Sequence, residues 1–379
     1  MSFDLAAVIR PEVRAQVPYH AGPEPTPGRR VKLDANESPF ALGEALRGNL
    51  AAEFARALAD VELHRYPDPT AQELREILAR DLGVSAERLL IANGSDEAIQ
   101  LLQMAVAGPG AAIAIPVPTF VMYAIGAQGM GIRVAEVPLD ETFALDAPRF
   151  LATVRKERPR LVFLAWPNNP TGNLFEPSAV EAILRACAGR DCQSLVVVDE
   201  AYCHYSGQSF LSRLGEFPNL VILRTLSKIG LAGIRLGILV ADAAVVREVN
   251  KIRMPYNVNA LSQAAARVVL THGDVVAEHA AAIVAERDRV FFRAGLGARQ
   301  PGHDPVEVAQ QVGAVGVQAT QPLAIDGGGA RRLRFLHLGC EHRSGKATDV
   351  GRVDRGRRDG KRAGRGRGRG QDRDQLLAQ

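Results

Sequence analysis

Short apolar runs alternate with segments of helical periodicity from about residue 60 to residue 292. Strands so apolar are typical of a sheet that is buried on both faces, as in a parallel sheet covered by helices. The pattern therefore predicts an α/β fold with a mainly parallel sheet. The predicted strands cover residues 89–93, 111–116, 131–138, 160–166, 194–200, 219–225 and 235–240.

The segments between these runs predict the covering helices. One of them has Thr70 and Glu73 at capping-box spacing, and Gly83 where the helix would stop. A second helix is predicted over 96–107. The periodicity is helical again over 259–292, which predicts a helical stretch that leads into a second, smaller domain.

These changes divide the chain into four predicted parts. Residues 1–35 form an N-terminal arm that belongs with the small domain, 36–257 form the large domain, and 258–292 start the small domain. Residues 293–379 are atypical, since their periodicity is weak and 351–370 is almost only Arg, Gly, Asp and Lys. Such low complexity does not build a core. We hypothesise that this part is read out of frame, because GC-rich codons in the wrong frame give Arg/Gly alternation.

The charge is unevenly spread. The chain carries +4 overall, but residues 343–379 hold 12 Lys and Arg against 5 Asp, a net of +7, so the remaining 342 residues carry −3. The basic character therefore belongs to the tail alone. Nucleic-acid binding by the Arg/Gly tract at 360–370 is an alternative function. No Phe, Tyr or Trp follows Phe335, however, so the tract has no ring on which bases could stack.

Nothing in the sequence indicates a membrane, a secretory route or a metal. No run of 18 apolar residues is present, and the N-terminal MSFDLAAVIRPEVR is too broken and too acidic for a signal peptide. The four cysteines form no CxxC or Cys/His spacing, so neither zinc nor a disulfide framework is indicated. We expect a cytoplasmic protein.

Two loops after predicted strands carry candidate binding groups, at the edge where open α/β sheets bind ligands. In NGSDE, Gly94 allows a close approach, and the amides of Ser95 and Asp96 open a helix, which suits an anion. In WPNNPTG, flanking prolines fix Asn168 and Asn169 so that an amide can be aimed at a ligand. A capped turn and an Asx turn are the purely structural alternatives.

Two further loops carry ionisable groups. VVVDEAY places Asp199 at the end of a wholly apolar strand, where a carboxylate is costly without a partner. Asp199 could hold a protonated ring nitrogen or cap a helix. In RTLSKIGLAGIRLG, Lys228 could form a Schiff base, with Ser227 and Arg235 gripping a phosphate, or it could be a solvated surface lysine.

The occurrence of all four loops in one chain, in this order, makes the purely structural alternatives less favoured. Together they supply a phosphate cradle, a donor to a phenolic oxygen, a counter-ion for a pyridine nitrogen and a covalent lysine. These are the groups that pyridoxal phosphate needs. The combination favours pyridoxal-phosphate chemistry over four unrelated structural loops.

Over about residues 5–292 the chain resembles the fold-type I pyridoxal-phosphate aminotransferases, and among them the histidinol-phosphate aminotransferases. The four loops carry the broader resemblance. The narrower one depends on LDANESPF, HRYPDP, ANGSDEAIQLL, VPTFVMYAIGA and RTLSKIGLAGIRLG. The resemblance implies a large pyridoxal-phosphate-binding domain, a smaller α/β domain and a homodimer whose interface completes the site.

The resemblance also implies a role for each site residue. Lys228 is the catalytic residue and forms the Schiff base, Asp199 pairs with the pyridine nitrogen, and Phe120 lies against the ring. Further cofactor contacts fall to Gly94, Ser95, Asp96, Ser227 and Arg235 at the phosphate, to Asn169 and Tyr202 at the phenolic oxygen, and to Tyr66, reaching over from the partner subunit. Tyr19 and Asn36 line the substrate side.

The implied reaction moves an amino group between L-histidinol phosphate and 2-oxoglutarate, giving imidazole-acetol phosphate and L-glutamate in histidine biosynthesis. Alternatives are another fold-type I enzyme (an aromatic amino-acid aminotransferase or a phospho-amino-acid decarboxylase) and a catalytically impaired homologue. Impairment is considered because the C-terminal arginine segment of such enzymes has only a poor counterpart here, RRLRFLHLGCEHR. Neither Arg332 nor Arg334 is therefore assigned to the substrate's carboxylate or phosphate.

Overall fold

The computed structural model describes residues 3–19, 35–40 and 49–293. Within them a single seven-stranded sheet is flanked by helices. The strands are β1 Leu89–Ala92, β2 Ala112–Val117, β3 Arg133–Pro138, β4 Leu161–Ala165, β5 Leu195–Asp199, β6 Leu220–Thr225 and β7 Gly237–Ala241. Every strand predicted from the apolar pattern is present, with its ends shifted by two residues or fewer.

The strand order is β1-β7-β6-β5-β4-β2-β3. Strands β2 to β6 pair in parallel, whereas β7 runs antiparallel to both of its neighbours. The prediction of a mainly parallel α/β sheet is therefore confirmed. The antiparallel strand was not predicted, because a strand buried on both faces has the same apolar pattern in either direction.

The helices of the described residues are α1 Pro11–Arg14, α2 Asn49–Ala59, α3 Gln72–Leu82, α4 Gly94–Val106, α5 Met122–Gly129, α6 Ala147–Glu157, α7 Pro177–Cys187, α8 Cys203–Ser206, α9 Ala243–Asn250, α10 Ala260–Leu270 and α11 Gly273–Arg293. Single 3₁₀ turns lie at Leu5–Ala7, Ala86–Arg88, Leu211–Arg213, Ser227–Ile229 and Ala232–Ile234. The helical stretch predicted after residue 259 corresponds to α10 and α11.

An apolar layer covers each face of the sheet. Helices α3, α6, α7 and α10 contribute to one layer, and α4, α5 and α9 to the other. Strand β5 contributes side chains to both layers, because successive side chains of a strand point to opposite faces of the sheet. Val196 and Val198 lie in one layer and Val197 in the other. All five residues of β4 are buried, whereas the edge strand β3 is largely accessible.

The predicted capping box at the start of α3 is wrong. Helix α3 begins after Ala71, and no side chain caps it in the predicted manner. Instead, the carboxylate of Asp68 accepts from the backbone N–H groups of Thr70 (2.8 Å) and Gln72 (2.7 Å), and Glu73 pairs with an arginine of α10. The Asp68 carboxylate thus serves the N–H groups of Thr70 and Gln72. A capping box would instead have Thr70 accept from the N–H of Glu73, and Glu73 from that of Thr70.

Helix ends elsewhere differ less from prediction. Gly83 ends α3 in the left-handed conformation at φ 65°, as expected. Helix α4 begins at Gly94 rather than at Asp96, so the glycine of the NGSDE loop is itself the first helical residue. The predicted part 293–379 lies outside the described residues except for Arg293.

Helix length and apolarity were also compared with what a membrane span requires. Within 3–19, 35–40 and 49–293, no single helix is long and apolar enough to cross a membrane. The pair Ala260–Leu270 and Val275–Val290 reaches the threshold only when joined across a 78° bend. Buried side chains of α10, such as Ala266 and Val269, belong to the apolar layer on the sheet.

Candidate active site

The strand order brings three chain segments together at one edge of the sheet. Gly237, at the start of β7, lies between Ala92 of β1 and Thr225 of β6 in the strand register. The loops that follow Ala92 and Thr225 are NGSDE and LSKIG, so these two loops emerge on either side of β7. Because β7 is antiparallel to both neighbours, it starts at the edge where they end. Arg235, two residues before the start of β7, therefore lies at the same edge.

Arg235 joins these two loops. Its guanidinium donates to Ser227 Oγ through Nη1 at 3.3 Å and to Asp96 Oδ2 through Nη2 at 3.1 Å. Ser227 is held in turn by Thr225, whose Oγ1 accepts from the Ser227 backbone N–H at 3.1 Å. Three of the five residues expected at a phosphate, Asp96, Ser227 and Arg235, thus lie within one hydrogen-bonded cluster.

Two glycines permit this close approach. Gly94 has a φ of +80°, and a Cβ added to it would lie 2.7 Å from Arg235 Nη2. A Cβ added to Gly237 would overlap the carbonyl carbon of Gly94 and the backbone nitrogen of Ser95. The first turn of α4 is therefore seated directly against the start of β7. Sequence reasoning found Gly94 but missed Gly237, whose only signal was a glycine opening an apolar strand.

Lys228 is half-buried in the 3₁₀ turn after β6. Its Nζ donates to the carbonyl of Ala35 at 2.8 Å and lies 5.6 Å from the ring centroid of Tyr202. Burial lowers the pKa of Lys228, and Arg235 adds to this effect, while the nearby carboxylates of Glu37, Asp96 and Asp199 oppose it. A lysine in such surroundings is easier to deprotonate than a solvated one. It is therefore not the solvated surface lysine of the structural alternative.

Asp199 is the last residue of β5 and is only 5% exposed. Its Oδ2 accepts from the Tyr123 hydroxyl at 2.7 Å, and its Oδ1 accepts from the Ala201 backbone N–H at 3.1 Å. Burial raises the pKa of Asp199 to about 6, against these two hydrogen bonds. The helix-cap alternative is wrong, because α8 starts only at Cys203 and Tyr202 precedes it as the cap residue.

The two asparagines of WPNNPTG have different surroundings. Asn168 is buried, and its side chain bonds to Thr119 Oγ1 (2.8 Å), the Pro118 carbonyl (3.0 Å) and Thr171 Oγ1 (2.7 Å). Asn168 therefore serves its own loop. Asn169 is half-buried, and among the described residues its side chain has no hydrogen-bond partner.

The expected ring-stacking residue and the expected substrate-side residues have the following surroundings. Phe120 is half-buried, and Asn36 donates to the Tyr202 hydroxyl at 3.1 Å. Burial raises the pKa of Tyr202, and the 62%-exposed Tyr19 lies near enough to add to that rise. Tyr66, which is expected to act in the partner subunit's site, is 80% exposed, and its ring stacks on Tyr256 with centroids 4.5 Å apart.

Sequence reasoning missed two residues beside Asp199. Glu200 is 1% exposed and bonds to Arg224 at 2.9 Å and to the Phe210 backbone N–H at 2.6 Å. Its signal was the second acid that ends an apolar strand. Tyr123 is fully buried, and its signal was a tyrosine one helical turn after Phe120.

Lys228, the buried Asp199 and the Arg235–Ser227 pair lie at one edge of a mainly parallel sheet, as the resemblance to the fold-type I transferases implies. The chain belongs to the aminotransferase class I and II family, whose model matches residues 29–314. It is 48% identical over 284 residues to histidinol-phosphate aminotransferase 2 of Cupriavidus pinatubonensis, covering 75% of this chain and 76% of that protein.

Two further relatives agree with this assignment. Histidinol-phosphate aminotransferase of Aquifex aeolicus is 42% identical over 262 residues, which is 69% of this chain and 71% of that protein. The crystal structure of histidinol-phosphate aminotransferase from Sinorhizobium meliloti in complex with pyridoxal-5'-phosphate superposes with a TM-score of 0.60 at 28% identity, covering 68% of each chain.

Proposed function

We propose that the chain is a pyridoxal-phosphate-dependent aminotransferase that converts L-histidinol phosphate and 2-oxoglutarate to imidazole-acetol phosphate and L-glutamate, or the reverse. The observation that carries this proposal is the meeting of Lys228, Asp199 and the Ser227–Arg235 pair at one sheet edge. The curated relatives at 42–48% identity support the choice of substrate, since both are histidinol-phosphate aminotransferases.

The residues present fit the cofactor. The Gly94 turn keeps open a cradle that a Cβ would fill, with the amides of Ser95 and Asp96 and the Ser227 and Arg235 side chains around it. Such a combination of helix start and guanidinium suits a phosphate dianion. We assign the phosphate to these groups and the ring nitrogen to Asp199.

The remaining roles follow from position. Asn169 has a side-chain amide that no described residue uses, so we assign it to the phenolic oxygen together with Tyr202. We assign Phe120 to the ring face and Tyr19 and Asn36 to the substrate side.

When bound, pyridoxal phosphate draws electrons from the bond between the substrate's Cα and its hydrogen. Lys228 Nζ would hold the cofactor covalently and, once the substrate's amine has replaced it there, the freed amine would take the proton from the substrate's Cα. Its lowered pKa suits both roles, because a neutral amine must act. The Asp199 carboxylate holds the proton on the ring nitrogen. Arg235 and Ser227 fix the phosphate and with it the position of the reacting atoms.

We further propose a cytoplasmic homodimer in which Tyr66 reaches the partner's phosphate site. This accounts for a tyrosine that is 80% exposed in one chain and held in orientation by Tyr256. The predicted boundaries 1–35, 36–257 and 258–292 are retained as the proposed domain organisation.

For residues 293–379 we retain the hypothesis of an out-of-frame reading. Arg332 and Arg334 lie in this part, outside the described residues, and remain without a substrate role. The nucleotide sequence tests the hypothesis: a one-base shift near codon 292 should restore periodic α/β sequence, and the absence of such a frame would reject it.

An absorbance spectrum of the purified chain with pyridoxal phosphate tests the cofactor assignment. We expect an absorbance band near the visible edge that disappears on borohydride reduction and is absent in Lys228→Ala. Turnover of histidinol phosphate with 2-oxoglutarate then tests the substrate. Good transamination of aromatic amino acids without histidinol-phosphate turnover would reject that substrate while leaving the cofactor assignment intact.

A further inference from the structure

Tyr123 is a buried polar residue to which the proposed function gives no role. It lies in α5, one turn after Phe120, and its side chain is fully buried in the layer between α4, α5 and the sheet. A buried phenol needs a hydrogen-bond partner, since an unpaired hydroxyl in an apolar layer is costly. The partner here is Asp199, at 2.7 Å.

The geometry of Tyr123 is fixed on every side. One face of its ring stacks on Phe163 with centroids 4.6 Å apart, and Phe120 meets it edge-on at 5.5 Å. Burial raises the pKa of Tyr123 well above its ordinary value, and the neighbouring Asp199 carboxylate raises it further. Both influences favour the neutral phenol, whose hydroxyl donates to Asp199 Oδ2.

We infer that Tyr123 is a positioning residue that orients the Asp199 carboxylate and keeps it ionised for the cofactor's ring nitrogen. This inference is based on the proposed function. A hydrogen bond to the charged form of a carboxyl favours that form. The Tyr123 hydroxyl donates a hydrogen bond to Asp199 Oδ2, and the Ala201 backbone N–H donates one to Oδ1. Together the two hydrogen bonds fix the plane of the carboxylate. Because the same ring also touches Phe120, one side chain aligns the counter-ion with the stacking residue.

The charges around Asp199 make this donor consequential. Burial, then Asp96 of α4 and the adjacent Glu200, raise the pKa of Asp199, while the Tyr123 hydroxyl and the Ala201 amide lower it. Lys228 and Tyr202 also lie within electrostatic range. Removing the hydroxyl removes the side-chain donor and leaves the raising influences in place. The carboxyl of such a variant would then hold its proton further into the neutral range.

The test is Tyr123→Phe in the full-length chain, freed of cofactor and titrated with pyridoxal phosphate at pH 6.5, 7.5 and 9. We expect affinity about tenfold weaker at pH 6.5, which corresponds to the loss of a hydrogen bond to a charged group. The ratio to the parent chain should shrink as pH rises, because Asp199 ionises in both proteins. The pH dependence of the absorbance band of the bound cofactor should also differ between Tyr123→Phe and the parent, in the direction of a higher pKa for Asp199 in the variant.

Phe163→Leu is the matched control. It removes the ring stacked on Tyr123 but no hydrogen bond, so thermal stability should fall without a pH-dependent change in cofactor affinity. A double-mutant cycle with Asp199→Asn gives the second readout. If Tyr123 acts through Asp199, Tyr123→Phe should weaken binding no further in that background. The same background serves if Tyr123→Phe alone fails to fold, because the lost hydroxyl then leaves no buried charge unpaired.

The outcomes separate the inference from the proposed function. Three outcomes would overturn the role of Tyr123 and leave the proposed function standing. They are parent-like cofactor affinity in Tyr123→Phe, an equal loss of affinity at every pH, and an additive loss of affinity in the Asp199→Asn background. If the parent chain itself fails to bind pyridoxal phosphate, the proposed function fails and the inference fails with it.

Discussion

The two ends of the candidate site are built in opposite ways. At the proposed anion end, the side chains of Arg235 and Asp96 are 47% and 44% exposed, and the amides of Ser95 and Asp96 are the backbone groups that we assign to the phosphate. At the ring-nitrogen end, Asp199 is 5% exposed and its neighbour Glu200 1%. Interactions among groups in a low-dielectric interior are stronger and more costly to break than those in contact with water. We therefore expect substitutions at the buried end to change the free energy of unfolding, and substitutions at the open end to change mainly the affinity for the ligand.

Glu200→Gln should have the largest effect on stability. The change removes one partner of the buried pair with Arg224, and breaking such a pair costs about 3–5 kcal/mol because the remaining charge is left uncompensated. Chemical denaturation of the cofactor-free protein measures it. Glu248→Gln, which breaks the exposed pair with Lys251, is the matched control and should change stability little. Equal effects of the two variants would contradict the contrast between buried and open regions.

The second prediction concerns the pH dependence of stability at the buried end. Burial raises the pKa of Asp199 in the folded protein to about 6, from an ordinary value of 3.8. Between these values the folded state binds more protons than the unfolded state, so this group makes stability fall as pH rises from about 4 to 6. A shift of this size corresponds to about 3 kcal/mol at full effect.

Asp199→Asn provides the measurement for that prediction. The variant should lose this part of the decline, so the stability difference between Asp199→Asn and the parent, both without cofactor, should increase in favour of the variant from pH 4 to pH 7. Urea midpoints at a series of pH values test it. A constant difference would show that Asp199 titrates near its ordinary value.

Gly237→Ala tests the close packing of the start of β7 against the first turn of α4, at the open end of the site. The added methyl would overlap the backbone of Gly94 and Ser95, so β7 or the first turn of α4 must shift, at about 1–3 kcal/mol for overpacking. Cofactor affinity should fall as well, since the displaced amides are those assigned to the phosphate. Gly215→Ala is the control, because a Cβ there meets no atom within 4 Å. If the two alanine variants behave alike, α4 is not seated against β7 as described.

What could be predicted from the sequence follows the same division. The strands, the end of α3 at Gly83, the limits of α4 to within two residues and the four loops are local patterns, so apolar runs and turn residues were sufficient to find them. The contacts of Gly237 with Gly94 and of Tyr123 with Asp199 depend on strand order and on which helix covers which face. An apolar pattern does not encode the antiparallel direction of β7, nor which carboxylate a buried tyrosine will reach. At the start of α3, both Asp68 and Thr70 are residues that can accept from backbone N–H groups, and the local sequence does not show which of them does so.

Arg235→Gln should have the smallest effect on stability and a distinct effect on binding. The ion pair with Asp96 is half-exposed, so its loss should cost less than about 1 kcal/mol of folding stability. The phosphate, however, loses its guanidinium, and a charge-assisted hydrogen bond of this kind is about twice as strong as a neutral one. We therefore expect pyridoxal phosphate to bind at least tenfold more weakly, while pyridoxal, which has no phosphate, binds equally well to both proteins. A thermal melt and titrations with the two ligands separate these effects. Equal weakening for both ligands would mean that Arg235 supports the loop itself rather than the anion, and the open end would then resemble the buried one.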